Sequence, residues 1–165
     1  MFAPIHRTRQ FLGALRARPA DPASLREAMA LLTPAQQALL LAQPAREVAH
    51  ALACCALLPS DDPPVQRAAL LHDVGKGKLR LLDRVLFVLM SSTPPGRTLV
   101  RKLAAPTGPA WRKGIFSLLH HADSGARAAA AAGADEETVR LVRHHHDHRP
   151  NDQRLQRLRK ADDRA

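Results

Sequence analysis

The sequence has no tyrosine, a single tryptophan and four phenylalanines. A core must therefore come from leucine, valine and alanine, and alanine and leucine are strong helix formers. A nucleic-acid groove that stacks bases on aromatic rings has little to build with. Cysteine is equally scarce, since Cys54 and Cys55 are the whole supply and are neighbours in the chain. Such a pair makes no disulfide framework and supplies no paired-cysteine zinc site, so both read as reduced thiols of a cytoplasmic protein. No apolar run reaches the ~18 residues of a membrane span. The first residues lack the apolar stretch of a secretory leader. Strand-like alternation, internal repeats and low-complexity linkers are all missing, and no Ser or Cys nucleophile sits in a triad-like setting.

What is present points to one all-α domain. At 165 residues with 45% apolar content, the chain can bury a real core. Prolines stand where helices begin: Asp21-Pro22, Thr33-Pro34 and Asp62-Pro63 each pair a capping side chain with proline at the first helical position. Thr33 to Gln36 also reads as a capping box. The pattern predicts helices near 5–17, 22–32, 34–42, 45–59, 63–74, 79–91, 96–104, 109–121, 123–132, 135–147 and 151–163.

The net charge is +10, from 25 basic and 15 acidic residues. Such a balance favours anionic partners. The basic residues are mostly arginines scattered along the chain, as GC-rich coding would also give, and the densest stretch is Arg140 to Lys160. A basic helix near a phosphate-handling site fits this distribution better than a nucleic-acid groove does.

The histidines carry the sharper signal. His50 opens "HALACCALL", and positions 54 and 58 follow it at helical spacing on an apolar stripe. His72 and Asp73 stand side by side in "LLHDVGKGK", directly after an apolar run. Gly75 is expected to end that helix and let the chain turn close to the pair. His120 and His121 end "WRKGIFSLLHHA", and Gly125, one turn beyond His121, allows a close approach. In "VRLVRHHHDH", His145 and His146 straddle the apolar face while His144 falls further round. In "LQRLRKADD", Asp162 aligns with Leu155 and Leu158. Any one of these has a bland reading as a hydrogen-bonded core histidine or a solvated helix end. Together they place nitrogen and oxygen ligands on five helices, and a divalent cation is the common partner that suits them.

The order of His50, then His72-Asp73, then a distal Asp162 resembles the HD-domain superfamily of metal-dependent phosphohydrolases. "AALLHDVGK" is similar to that superfamily's signature nearly letter for letter, and the likeness runs from His50 to Asp162. The resemblance implies a compact helical bundle over 44–165, with 1–43 as an N-terminal helical extension. It implies His50, His72, Asp73 and Asp162 as the core metal ligands. His121 in "HADSG" and His145 in "VRHHHD" are similar to the extra histidines of two-metal members, such as HD-GYP phosphodiesterases and diadenosine tetraphosphate hydrolases. His146 matches the second histidine of the HD-GYP pair, although "DHRPND" stands where that type has its GYP tripeptide. Lys76 matches the lysine that approaches the substrate phosphate.

On this resemblance the cofactor is a divalent transition metal, with two ions expected. Mn or Fe is favoured, and Ni, Co, Zn or Mg are the alternatives. Asp73 is the natural bridge, because a carboxylate can give one oxygen to each ion. The expected function is hydrolysis of a phosphoester or phosphoanhydride in a small, nucleotide-like substrate by metal-activated water, with Asp73 and Lys76 as the catalytic pair. Three other readings compete with it: a non-catalytic HD-like signalling or scaffold module, a basic nucleic-acid-binding protein, and a membrane-surface helix at "LRLLDRVLFVLM".

Overall fold

A computed structural model describes residues 21–77, 87–147 and 151–165. The expected helix at 5–17 and most of the one at 79–91 lie outside these residues; 87–91 are helical. The described elements are α1 (Pro22–Ala30), α2 (Pro34–Leu41), α3 (Ala45–Ala56), α4 (Pro63–Leu71), a 3-10 turn (Val74–Lys76), α5 (Pro94–Leu103), α6 (Ala110–Ala131), α7 (Glu136–His144) and α8 (Gln153–Asp162). No strand occurs among the described residues. The protein is all-α, as its composition predicts.

Local chemistry explains most of the helix starts. Asp21 accepts from the Ser24 amide at 3.0 Å ahead of α1, and Thr33 and Gln36 close the capping box of α2. Asp135 and Asp152 accept from the Thr138 and Leu155 amides, both at 2.9 Å, at the heads of α7 and α8. Asp62 departs from expectation. Its side chain makes no cap on α4 and instead accepts from Arg154 Nε at 3.0 Å. The charged arginine of α8 outcompetes a neutral amide for the carboxylate.

Two further expectations are corrected. The helices expected at 109–121 and 123–132 are one unbroken helix of 22 residues. Nothing between them lacks an amide or blocks the ladder, and a single glycine costs only about 1 kcal/mol inside a helix. The helix expected at 63–74 ends at Leu71, with His72 as its cap, and Gly75 lies inside the 3-10 turn that follows. The positive backbone angle needed to leave that turn falls on Gly77, at φ 63°.

α4 is the central element. Val65, Ala68, Ala69, Leu70 and Leu71 are all fully buried, so its last turn is covered on every side. α3, α7 and α8 pack around it and contribute Cys54, Leu141, Val142, Leu155 and Leu158 to the same core. Ala28 and Leu32 at the end of α1, with Leu40 of α2, join that cluster too. Both cysteines are buried and free, and burial pushes both thiols up, Cys55 to about 11. They are core residues in their protonated form.

Charge pairs stitch the outside of α4, α7 and α8. Arg140 grips Glu137 with two nitrogens at 2.8 Å and also reaches Asp152, while Arg154 joins Asp62 to Glu137. Arg67 of α4 donates to Asp135 at 3.0 Å. Arg140 and Arg154 of the densest basic stretch are thus paired within the fold.

The tightest contact brings the 3-10 turn onto the middle of α6. A Cβ on Gly75 would sit 2.0 Å from the His121 carbonyl oxygen and 2.5 Å from the Gly125 amide nitrogen. On Gly125 it would sit 3.2 Å from the Gly75 nitrogen. Gly75→Ala must push two backbones apart and should destabilise by about 3 kcal/mol or more, at the upper end of overpacking costs. Gly125→Ala needs a shift of only a few tenths of an ångström and regains helix propensity, so its loss should stay below about 1.5 kcal/mol. Urea unfolding of the two variants checks the order; equal losses would mean the turn does not rest on the helix this closely.

Candidate metal centre

Seven side chains meet where α3, α4, α6, α7 and α8 converge around the 3-10 turn. They form two sets, each with ligand atoms within 4.8 Å of one another: His50, His72 and Asp162, and His121, His145 and His146. Asp73 lies between them. Its Oδ2 is 3.4 Å from His72 Nε2 and its Oδ1 is 3.7 Å from His121 Nε2. Every metal-ligand candidate read from the sequence is therefore within this one region. Asp162, rather than Asp163, faces His50, at 3.0 Å from its Nε2.

The three most buried histidines are aimed by one device that the sequence reading missed. Nδ1 of His72, His121 and His145 donates to the carbonyl three residues back, Ala69, Leu118 and Val142, at 2.8, 2.8 and 2.7 Å. This bond puts the proton on Nδ1, fixes the ring plane and leaves Nε2 to point into the site as a ligand. Two of the three stand just past the last turn of a helix, where carbonyls have no amide partner of their own. The signal was available: an inward histidine with a free carbonyl at i−3.

Lys76, matched in sequence to the lysine that approaches a substrate phosphate, stands beside Asp73. Its ammonium pairs with Asp73 Oδ2, the oxygen that faces His72. It sits at the rim, about one-fifth exposed, while Asp73 is buried. His146 is exposed overall, yet its Nε2 lies 2.9 Å from His121 Nε2. Of the other histidines described, His120 is exposed and packs against Phe116, while His144 bonds Asp147 at 2.8 Å.

The electrostatics divide along the same line as the two sets. Burial works against charge on His72, but Asp73 and Asp162 outweigh it and push its pKa up to about 10. Burial likewise opposes charge on Asp162 and Asp73. His50 and His72 hold the first well below the usual carboxylate range, and His72 and Lys76 hold the second there. On the other side burial dominates. Aided by Lys76 it pushes His121 down to about 4, and aided by His146 it pushes His145 down to about 2. One set pairs a protonated imidazole with a carboxylate, and the other is neutral imidazole.

These residues fit a cation. His72 Nε2, Asp73 Oδ1 and His145 Nε2 are buried and have no hydrogen-bond partner. Orphans of this kind are costly, about 1–3 kcal/mol each, unless something else satisfies them. Donors 2.0–2.1 Å from one ion stand roughly 3–4 Å apart, so each set needs only a small contraction. Mixed imidazole and carboxylate with no thiolate suits Mn, Fe, Co, Ni or Zn. His50, Lys76 and Asp162 remain partly exposed, so the centre opens to solvent along that edge.

A family model described as HD domain matches residues 38–165, a span that contains both sets and the 3-10 turn. No curated protein and no solved structure matches the chain.

The opposed histidine shifts give the metal-free protein a stability maximum. His121 and His145 have folded pKa values below 6.5, so their contribution is present above pH 6.5 and lost as pH falls toward 4. His72 has a raised value, so its contribution is complete below pH 6.5 and lost as pH rises toward 10. Each histidine changes stability by at most about 1.4 kcal/mol per pH unit. Thermal melts of chelator-treated protein should peak between about pH 6 and 7 and fall on both sides, and His145→Gln should flatten the acid limb. A midpoint that holds steady or rises from pH 6.5 to 4.5 would contradict the neutral state of these rings.

Proposed function

The chain belongs to the HD-domain family, one of metal-dependent phosphohydrolases, and on that premise we propose that it hydrolyses a phosphoester or phosphoanhydride bond of a small, nucleotide-like molecule. The metal-binding unit in this reading is 44–165, with 1–43 as a helical extension. The observation that carries the reading is Asp73, whose two oxygens face different ligand sets. Its position suits a carboxylate shared between two cations, with His50, His72 and Asp162 on one side and His121, His145 and His146 on the other. When bound, a divalent pair supplies Lewis acidity to a phosphoryl oxygen and makes water a nucleophile near neutral pH.

The chain's own groups do the rest. Nδ1 bonds to Ala69, Leu118 and Val142 keep three rings from turning, so binding energy is not spent on ordering them. Lys76 compensates Asp73 in the protein alone, and its rim position lets the same ammonium swing to an incoming phosphoryl oxygen. A compact point charge suits both partners. The lack of stacking aromatics favours a small phosphorylated substrate over nucleic acid as partner. Mn or Fe leads the metal candidates.

Elemental analysis and a nucleotide hydrolysis panel, run on the same preparations, test the proposal. Wild type should hold up to two ions and turn over at least one nucleotide-like substrate. Asp73→Ala should lose metal and hydrolysis together. His121→Ala or His145→Ala should lower metal content by up to one ion while the fold stays helical by circular dichroism. Lys76→Ala should keep the metal and lose about 10²–10³-fold in turnover. Hydrolysis by metal-free Asp73→Ala would end the reading, and full turnover in Lys76→Ala would remove the phosphate contact.

A further inference from the structure

From Arg84 to Ala122 the sequence holds Arg84, Arg97, Arg101, Lys102, Arg112 and Lys113 and no acidic residue at all. No other part of the chain is so one-sided in charge over such a length. Among the described residues, Arg97, Arg101, Lys102 and Lys113 are exposed, and none of the four pairs with a carboxylate. Arg140 of α7 and Arg154 of α8 contrast with them, since they are engaged by Glu137, Asp152 and Asp62. Among the described residues, α5 and the first turn of α6 thus carry unpaired positive charge with no acidic residue near it in sequence.

The same region carries an excess of exposed apolar surface. Among the described residues five large apolar side chains are exposed, and three of them, Leu89 (66%), Leu99 (48%) and Trp111 (40%), fall here. The segments that bear them are held together. A Cβ on Gly96 would collide with the Met90 carbonyl oxygen, Arg112 Nε donates to Leu103 O at 2.8 Å, and the Arg112 guanidinium lies 6.0 Å from the Trp111 ring centroid. Arg112 anchors the end of α5 and leans on the one indole of the protein.

We infer that this surface, formed by α5, the residues before it and the start of α6, docks on an anionic lipid bilayer. Unpaired Arg and Lys supply attraction to acidic headgroups, and Leu89, Leu99 and Trp111 supply side chains that enter the headgroup boundary. A tryptophan flanked by cations is well suited to that boundary, where its ring is buried and its N–H stays wet. Nucleic acid answers to the charge but not to two exposed leucines, and a single aromatic side chain makes no stacking platform. No helix among the described residues is long and apolar enough to cross a membrane, so the contact is peripheral. The inference does not depend on what the metal centre does.

Trp111 makes the test direct, because as the sole tryptophan it reports only on this surface. The full-length protein is titrated with phosphatidylcholine vesicles, with and without ~30% phosphatidylserine, and read by co-sedimentation and Trp emission. The expected result is binding to the anionic vesicles alone, a blue shift of the emission, and release on raising salt from about 0.1 to about 0.5 M. Arg101→Glu/Lys102→Glu should weaken binding by about tenfold or more, and Leu99→Ser should weaken it with the charge unchanged. Arg26→Glu/Arg157→Glu, which changes net charge equally on exposed sites elsewhere, should bind as wild type. Equal loss in that control would reduce the effect to net charge and overturn the surface. Absence of vesicle binding at low salt, or a Trp111 shift with single-stranded DNA but not with vesicles, would overturn it as well.

Discussion

The structure turns on a contact between two stretches of backbone that only glycine permits. The 3-10 turn after α4 lies directly against the middle of α6, with Gly75 meeting the His121 carbonyl and the Gly125 amide. This places His72 and Asp73, at one end of the central helix, opposite His121, far along the chain. Burial drives the helices together, but hydrophobic packing alone would tolerate an offset of one side chain's width. Contact between main chains does not. The separation of Asp73 from His121 is set by the thickness of a peptide backbone.

The site within that frame combines two electrostatic strategies. Around His72, carboxylates from α8 and the turn hold a positive charge even without a cation, whether as a proton on the ring or as Lys76. Around His145, burial removes the proton and leaves bare imidazoles. Asp73 belongs to both neighbourhoods. A cation on the first side must displace positive charge already present, whereas one on the second meets neutral donors and little competition.

Much of this could be read from the residues before any coordinates. The capped prolines placed α1 and α2, and the apolar run before His72 marked the buried central helix. The histidine spacing collected the seven side chains that the fold brings together. What escaped detection follows from how each signal works. Local pattern could not tell that α6 runs unbroken through Ala122 to Gly125, because a glycine weakens a helix without stopping it. Asp62 looked like a cap because its competitor, Arg154, is far away in sequence. The pairing of Lys76 with Asp73 and the carbonyls behind the rings depend on rotamers, which spacing does not encode. The basic residues were counted correctly, yet which of them are neutralised, Arg140 and Arg154 rather than Arg101 and Lys102, appears only when the helices are docked.

The continuity of α6 has a mechanical consequence. At 22 residues it is a rod about 33 Å long, and Trp111 and His121 are about 15 Å apart on it. An α-helix is stiff along its axis, so the two cannot drift independently. Gly125 against Gly75 keys the rod to the turn and stops it from sliding. Compliance is confined to its ends, at the segment before Pro109 and at Gly133, where the chain adopts φ 75°. A load applied at the tryptophan end is therefore borne by His121 and the Asp73 turn as one body, and the histidine and aspartate cluster tilts whole instead of being pulled apart one side chain at a time.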